Sequence, residues 1–356
     1  MRAALKLIGY AYTKTKHSNI RMRFKVVLFF LMYVFTSCID IVDSPYPDIS
    51  PESIQIPAGL ERATASSFVI NNKAYLTLGR QGAKGCVGLT DCWEYDPLAN
   101  TWLRKSDFPG KARVGAIAEV VDGKAYVGFG YNPASGVYGT DTVAFPDMWM
   151  YNPENDSWTK RADFPKKTPD LDAPVVSCSS FTYQQWIYVF SLGVKNYKFS
   201  DVWRYNTQTD TWEQMSDFPG KRRSVAVSCT NGTRYFFGTG YYGYNTNDWW
   251  EYFPETDTWK QRKSMPDAGR INALAFSVKN RFFVATGRRY GGTLTTGFLH
   301  NDIMEYDALK DVWYKRGIIP TSGRENALAF VVGNNAFIGF GETEKYRLND
   351  LWKFEP

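Results

Sequence analysis

Five arginines occupy matching places in this 356-residue chain: Arg62, Arg113, Arg223 (with Arg222 beside it), Arg270 and Arg324. Each lies a few residues after a proline and just before a run of small residues. A guanidinium is a rigid fork that meets a carboxylate through two parallel hydrogen bonds. Five forks converging on one place would make a cationic mouth for an acidic sugar or a carboxylate-rich peptide. Tyr131, Tyr242 and Tyr290, together with Arg288, fall in neighbouring loops and would add rings that stack on sugars or side chains. Arg324 is followed by Glu325, in a Gly323-Arg-Glu-Asn326 frame that recurs as Gly269-Arg-Ile-Asn272 without the acid. Glu325 is therefore the candidate proton donor or acceptor, and Arg324 the group to hold a sugar carboxylate. The alternative left open is that these arginines only tie loops together and that Glu325 forms an ordinary ion pair.

Metal and cofactor chemistry finds few ligands. The chain has 2 histidines, His17 and His300, and no Cys-x-x-Cys pair, so a zinc ribbon is not indicated and no metal or cofactor is expected. Cys86 and Cys92 sit six apart on one loop and could form a disulfide in an oxidising compartment or remain thiols. Cys178 and Cys229 fall in predicted inner strands, as small buried hydrophobes.

The elements that must position these residues repeat. Asp91-Cys-Trp-Glu-Tyr95, Asp147-Met-Trp-Met-Tyr151, Asp201-Val-Trp-Arg-Tyr205, Asp248-Trp-Trp-Glu-Tyr252, Asp302-Ile-Met-Glu-Tyr306 and Asp350-Leu-Trp-Lys-Phe354 recur at intervals of 56, 54, 47, 54 and 48 residues. Such a period marks an array of one supersecondary unit. Each phrase alternates like a half-buried strand, and a second aromatic strand ending at proline follows in most copies. A strand of small residues comes next, then a tight turn (Asn71-Asn72, Asp122-Gly123, Asn231-Gly232, Asn334-Asn335) and a fourth strand that ends on glycine. Four strands in six units predict a six-bladed β-propeller over residues 53–356. The last copy lacks its proline-ended strand, and Ser53–Pro57 is such a strand with no phrase before it. The N-terminal strand should therefore join the C-terminal blade and close the ring. The longest loops follow the glycines, so one face is elaborated and carries the candidate site.

These six phrases and glycine-ended strands resemble the kelch repeat family, although a single glycine stands where kelch repeats usually carry a pair. The resemblance implies an all-β propeller, in the main reading a monomeric binding module for a glycan, an anionic ligand or a protein partner. Some kelch-like propellers are copper radical oxidases needing two histidine ligands, which a mature chain with His300 alone does not supply. Others are metal-independent sialic-acid mutarotases, and this alternative would give Glu325 and Arg324 catalytic roles.

The front of the chain concerns location. Residues 26–37 are almost wholly apolar, follow Arg21, Arg23 and Lys25, and run into Cys38. About twelve residues suit a signal-peptide core rather than a membrane span. Phe35-Thr-Ser-Cys38 resembles a bacterial lipobox, which implies cleavage and lipidation at Cys38 and a place in the bacterial cell envelope, on the outer membrane. Residues 1–37 then form the leader, with Met22 a second candidate start, and 38–52 an extended tether. Removing residues 1–37 takes away 7 of the 42 bases and none of the 36 acids, leaving 35 against 36. The basic balance thus belongs to the leader, and no nucleic-acid partner is expected.

Overall fold

The computed structural model describes residues 42–82, 87–135, 143–165, 178–191, 201–292 and 296–356. The leader, Cys38 and Cys86 lie outside them.

The repeat folds into six four-stranded antiparallel sheets. Blade 1 runs through Ser66–Ile70, Lys73–Thr77, Cys92–Asp96 and Thr101–Lys105, and blade 2 through Ile117–Val121, Lys124–Gly128, Met148–Asn152 and Ser157–Arg161. Blade 3 comprises Ser179–Tyr183, Trp186–Ser191, Asp201–Asn206 and Thr211–Gln214, and blade 4 Val227–Thr230, Tyr235–Gly238, Trp249–Phe253 and Thr258–Arg262. Blade 5 comprises Leu274–Val278, Arg281–Ala285, Asp302–Asp307 and Val312–Ile318. Blade 6 takes Leu328–Val332, Asn335–Gly339 and Leu351–Phe354 from the end of the chain and Glu52–Ile54 from its beginning. Glu52, Ser53 and Ile54 pair with Lys353, Trp352 and Leu351. The closing strand overlaps the expected Ser53–Pro57, starting one residue earlier and ending at Ile54. The inner strands touch in cyclic order, blade 6 against blade 1, so the ring is closed.

Alternate residues of each inner strand face opposite neighbours, as the pleat dictates. Phe68 and Ile70 pack against Ala116, Ala118 and Val120 of blade 2, which is why that strand carries small residues. Phe68–Tyr75, Phe181–Tyr188, Phe276–Phe283 and Phe330–Phe337 stack across the first hairpin of their blades. Blades 2 and 4 break this pattern, because Glu119 lies opposite Tyr126 and Cys229 opposite Phe236. Asn71-Asn72 and Asp122-Gly123 take positive φ, as expected of these turns. In blade 6 the turn falls one residue earlier than expected, on Gly333-Asn334, since Gly333 takes the positive φ and Asn335 already pairs.

The phrase tyrosine latches neighbouring blades on the plainer face. Tyr151, Tyr205, Tyr252 and Tyr306 donate to Asp156, Asp210, Asp257 and Asp311 at 2.5–2.7 Å. Those carboxylates also accept a backbone N–H from the preceding blade, at Ser106, Ala162, Ser216 and Lys263. The phrase glutamates bind a base at the start of the adjacent strand: Glu94 with Lys73, Glu251 with Arg234, Glu305 with Arg281.

Residues 42–49, within the expected 38–52 tether, lie against the propeller. Val42 and Ile49 bridge to Tyr314 and Gly317 on the outer strand of blade 5. Ile49 is buried in the core shared by blades 5 and 6. The Arg316 guanidinium donates to the Pro47 carbonyl at 2.7 Å, and the Tyr46 ring lies 4.1 Å from Arg281 and 5.2 Å from Arg316. Gly317 permits this approach, because a Cβ there would meet the Ile49 carbonyl oxygen at 2.8 Å. This segment is a strap.

Candidate functional site at the axial mouth

The five repeated arginines do not line an open mouth. Arg62, Arg113, Arg223, Arg270 and Arg324 are 0–3% exposed. Each grips the aspartate that opens the phrase of its own blade: Asp91, Asp147, Asp248, Asp302 and Asp350. The pairs are two-pronged, for example Arg62 Nη1 and Nη2 to the two Asp91 oxygens at 2.9 and 2.8 Å. A second donation from Nη1 goes to a strand-end carbonyl, such as that of Phe129, Thr286 or Phe340. The phrase tryptophan adds an Nε1–H to the same carboxylate in four blades, at Trp93, Trp149, Trp250 and Trp352. Burial alone would raise the Asp91, Asp147 and Asp248 carboxyls, but the arginine bonds outweigh it and hold them below the usual range. The expectation of a five-arginine cationic mouth is thus corrected: the guanidinium groups are consumed inside the blades.

Their backbone serves the axis instead. The arginine carbonyls accept from the glycine N–H of the preceding blade, Gly79 to Arg113, Gly240 to Arg270, Gly287 to Arg324, and Gly341 to Arg62 across the closure. Above this lies a collar of residues at positive φ: Thr64, Gly115, Val225, Asn272 and Asn326. Gly115 donates to Thr64, Thr64 to Asn326, and Asn326 to Asn272 at 2.9–3.2 Å, so hydrogen bonds run from blade to blade around the axis. Positive φ at a threonine and a valine costs energy, and such strain gathers where surrounding structure fixes the backbone.

A second set of polar groups forms a lattice over blades 5, 6 and 1, in which Arg288, Glu342 and Glu325 are buried and Arg80, Asn272 and Asn326 half-buried. Glu325 and Glu342 exchange backbone hydrogen bonds at 3.0 and 2.9 Å, which sets their side chains next to each other. Glu325 accepts from Arg288 Nε and Asn272 Nδ2, both at 2.8 Å. Glu342 accepts from Arg80 at 2.5 Å and Asn326 at 2.6 Å, and Arg347 approaches its second oxygen at 2.6 Å. Arg288 also reaches Glu344 at 3.2 Å. Burial would lower the Arg288 pKa, but the adjacent Glu325 charge outweighs it and raises it. Three bases face three acids, so the lattice is charge-balanced. Arg324 is not the partner of Glu325: that side chain turns into blade 6.

Of the tyrosines, Tyr131 is buried beside Val114 and Ala144, and so is not a stacking surface. Tyr290 meets Tyr241 edge to face at 5.3 Å, and Tyr242 is exposed on the blade 4 rim. Cys92, left open between a bridge to Cys86 and a thiol, is a free buried thiol whose pKa burial pushes up to about 12. Glu342, Arg80, Asn272 and Asn326 were not singled out from sequence. A signal existed: the residue after the inner glycine is charged in blades 5, 6 and 1 (Arg288, Glu342, Arg80) and tyrosine in blades 2 and 4 (Tyr131, Tyr241). Among the described residues there is no acid, histidine and cysteine cluster able to hold a metal ion.

No family model matches the chain. It is 29% identical over 122 residues to an N-acetylneuraminate epimerase of Yersinia enterocolitica, covering 33% of this chain and 26% of that protein. Over 151 residues it is 26% identical to Kelch-like protein 35 of Mus musculus, covering 42% of this chain and 23% of that protein. The chain thus matches about a quarter of the length of these relatives. The solved structure described as "Structure of YjhT" superposes with a TM-score of 0.67 at 18% identity, covering 82% of this chain and 94% of that one.

Proposed function

The chain is a kelch-repeat β-propeller, and on that premise we propose that it is a recognition module that binds a glycan at the axial mouth. The observation that carries this reading is the Glu325, Arg288, Asn272, Glu342, Arg80 and Asn326 lattice. Sugar hydroxyls both donate and accept, and the half-buried Arg80, Asn272 and Asn326, fixed in place by the buried carboxylates, offer donors and acceptors at defined positions. Its balanced charge fits a polyhydroxylated ligand better than a carboxylate cluster. A saccharide array followed by titration calorimetry tests it. Glu325→Gln should weaken binding of the array hit by about ten-fold, and no saccharide bound by the wild type would overturn it.

One observation favours a second reading. Glu325 is bound on both oxygens by groups that would orient it for proton transfer. Together with the likeness to a protein named an epimerase, this supports a metal-independent mutarotase. Proton NMR of anomer exchange in N-acetylneuraminate separates the two: exchange lost in Glu325→Gln indicates an enzyme, and none in the wild type a binding module.

Anchorage at Cys38 belongs to the same proposal. It rests on the charged start, the apolar run and the small residues before that cysteine. Cys38→Ala should abolish labelling by a palmitate analogue, and unchanged labelling would defeat it.

A further inference from the structure

Beside the axial lattice, the rim of blade 4 carries an arrangement that it does not use. Tyr242 and Tyr244 are 37% and 49% exposed, with ring centroids 6.1 Å apart and planes nearly perpendicular. Lys221 reaches over both, its Nζ 5.0 Å from the Tyr244 centroid and 6.0 Å from that of Tyr242, and donates to the Tyr244 hydroxyl. The loop holding the rings is rigidly built. Tyr241 bridges Asn245, the Tyr242 N–H meets the Tyr244 carbonyl at 2.9 Å, and Gly243 supplies the positive φ of the turn. Asn245 then clamps the loop to blade 5, donating to the Tyr290 carbonyl at 2.9 Å and accepting from the Tyr290 N–H at 3.0 Å.

Two features give this rim its chemistry. Exposed rings fixed in place stack on the C–H face of a pyranose without a further ordering cost. An ammonium has three donors, and Lys221 directs one at Tyr244, so a carboxylate laid across the rings can be met by the others. Tyr290, the backbone anchor of the rim loop, is two residues along its strand from Arg288 of the axial lattice, roughly 7 Å of strand.

We infer that Lys221, Tyr242 and Tyr244 form a second subsite, on the blade 4 rim, that takes an anionic sugar unit of a glycan whose neighbouring unit occupies the axial mouth. This rests on the glycan reading of the mouth, and it names the ligand as an acidic oligosaccharide. The test titrates the full chain with trigalacturonate and with α-1,4-linked galactotriose, its uncharged counterpart. The wild type should bind trigalacturonate at least about ten-fold more tightly than galactotriose. Lys221→Gln should erase that preference, and Tyr242→Ala with Tyr244→Ala should weaken both ligands, each with an unchanged melting temperature. A wild type without the preference, or a Lys221→Gln variant that keeps it, overturns the subsite. Glu325→Gln distinguishes the readings. If it abolishes binding while the rim variants bind normally, the rim falls and the mouth stands; if it changes nothing while the rim variants lose binding, the mouth falls and the rim stands.

Discussion

Arg324 and Glu325 are consecutive in the chain, yet their side chains belong to separate assemblies. Arg324 turns into blade 6 and closes a two-pronged pair on Asp350, 26 residues on, whereas Glu325 crosses the seam to Arg288 of blade 5. One step along a strand thus divides a pin that holds a blade from a carboxylate held at the mouth.

Replacing Arg324 should therefore unfold rather than merely silence the protein. Arg324→Ala leaves Asp350 without its guanidinium partner, and losing one member of a buried pair costs about 3–5 kcal/mol. Urea denaturation should show a loss of that order, with Arg270→Ala similar. A melting temperature close to wild type would return these arginines to the binding site.

The strap predicts where the stable unit begins. A chain starting at Ser50 loses the buried Ile49 and the Tyr46 ring over Arg281 and Arg316, a loss of roughly 2–3 kcal/mol relative to a chain starting at Val42. A chain starting at Leu60 also loses Glu52–Ile54, exposing the edge of Leu351–Phe354, and should aggregate. Urea midpoints and light scattering on the three chains check both steps.

Glu119 should make stability depend on pH. Burial in the seam between blades 2 and 3 lifts its carboxyl from 4.5 to about 7, partly offset by the hydrogen bond from Ser180 at 2.7 Å. With the folded pKa above the unfolded one, the stabilisation is full below about pH 4.5 and is lost as pH rises through 7. The difference amounts to at most roughly 3 kcal/mol. Glu119→Gln should flatten the stability profile between pH 5 and 8 and gain most over wild type at pH 8. Parallel profiles would show that the carboxyl is ionised throughout.

Cys92 and Cys229 should be silent. Burial raises the thiol pKa of Cys92, Cys178 and Cys229 above the ordinary range. At pH 8 a thiol reagent should reach the buried Cys92 and Cys229 only as fast as the protein unfolds, and the half-buried Cys178 sooner, as mass mapping of labelled peptides would show.

The ring and its closure were legible because they are written in large residues at a steady period, with an orphan strand at one end matching a missing strand at the other. The arginine pins were not, because Arg and Asp lie 29, 34, 25, 32 and 26 residues apart as loop length varies. No fixed spacing announces them. Within the chain a subtler sign was available: the phrase carries Glu in blades 1, 4 and 5, where Lys73, Arg234 and Arg281 precede it, whereas Arg204 in blade 3 faces Trp186 at 3.9 Å. Such covariation between repeats reports pairing that spacing hides. Of the site, Glu325 and Arg288 were legible as polar residues near the axis. Their mutual pairing was not, since it joins different blades.

The strap also decides how tension would enter the molecule. Residues 42–49 lie along blade 5, and three residues later the chain enters blade 6 as Glu52. A pull on the upstream chain is met first by the Tyr46, Pro47 and Ile49 contacts on blade 5, before it reaches the three-residue strand that shuts the ring. The shortest strand of the six blades is thus shielded from a force applied to its own end.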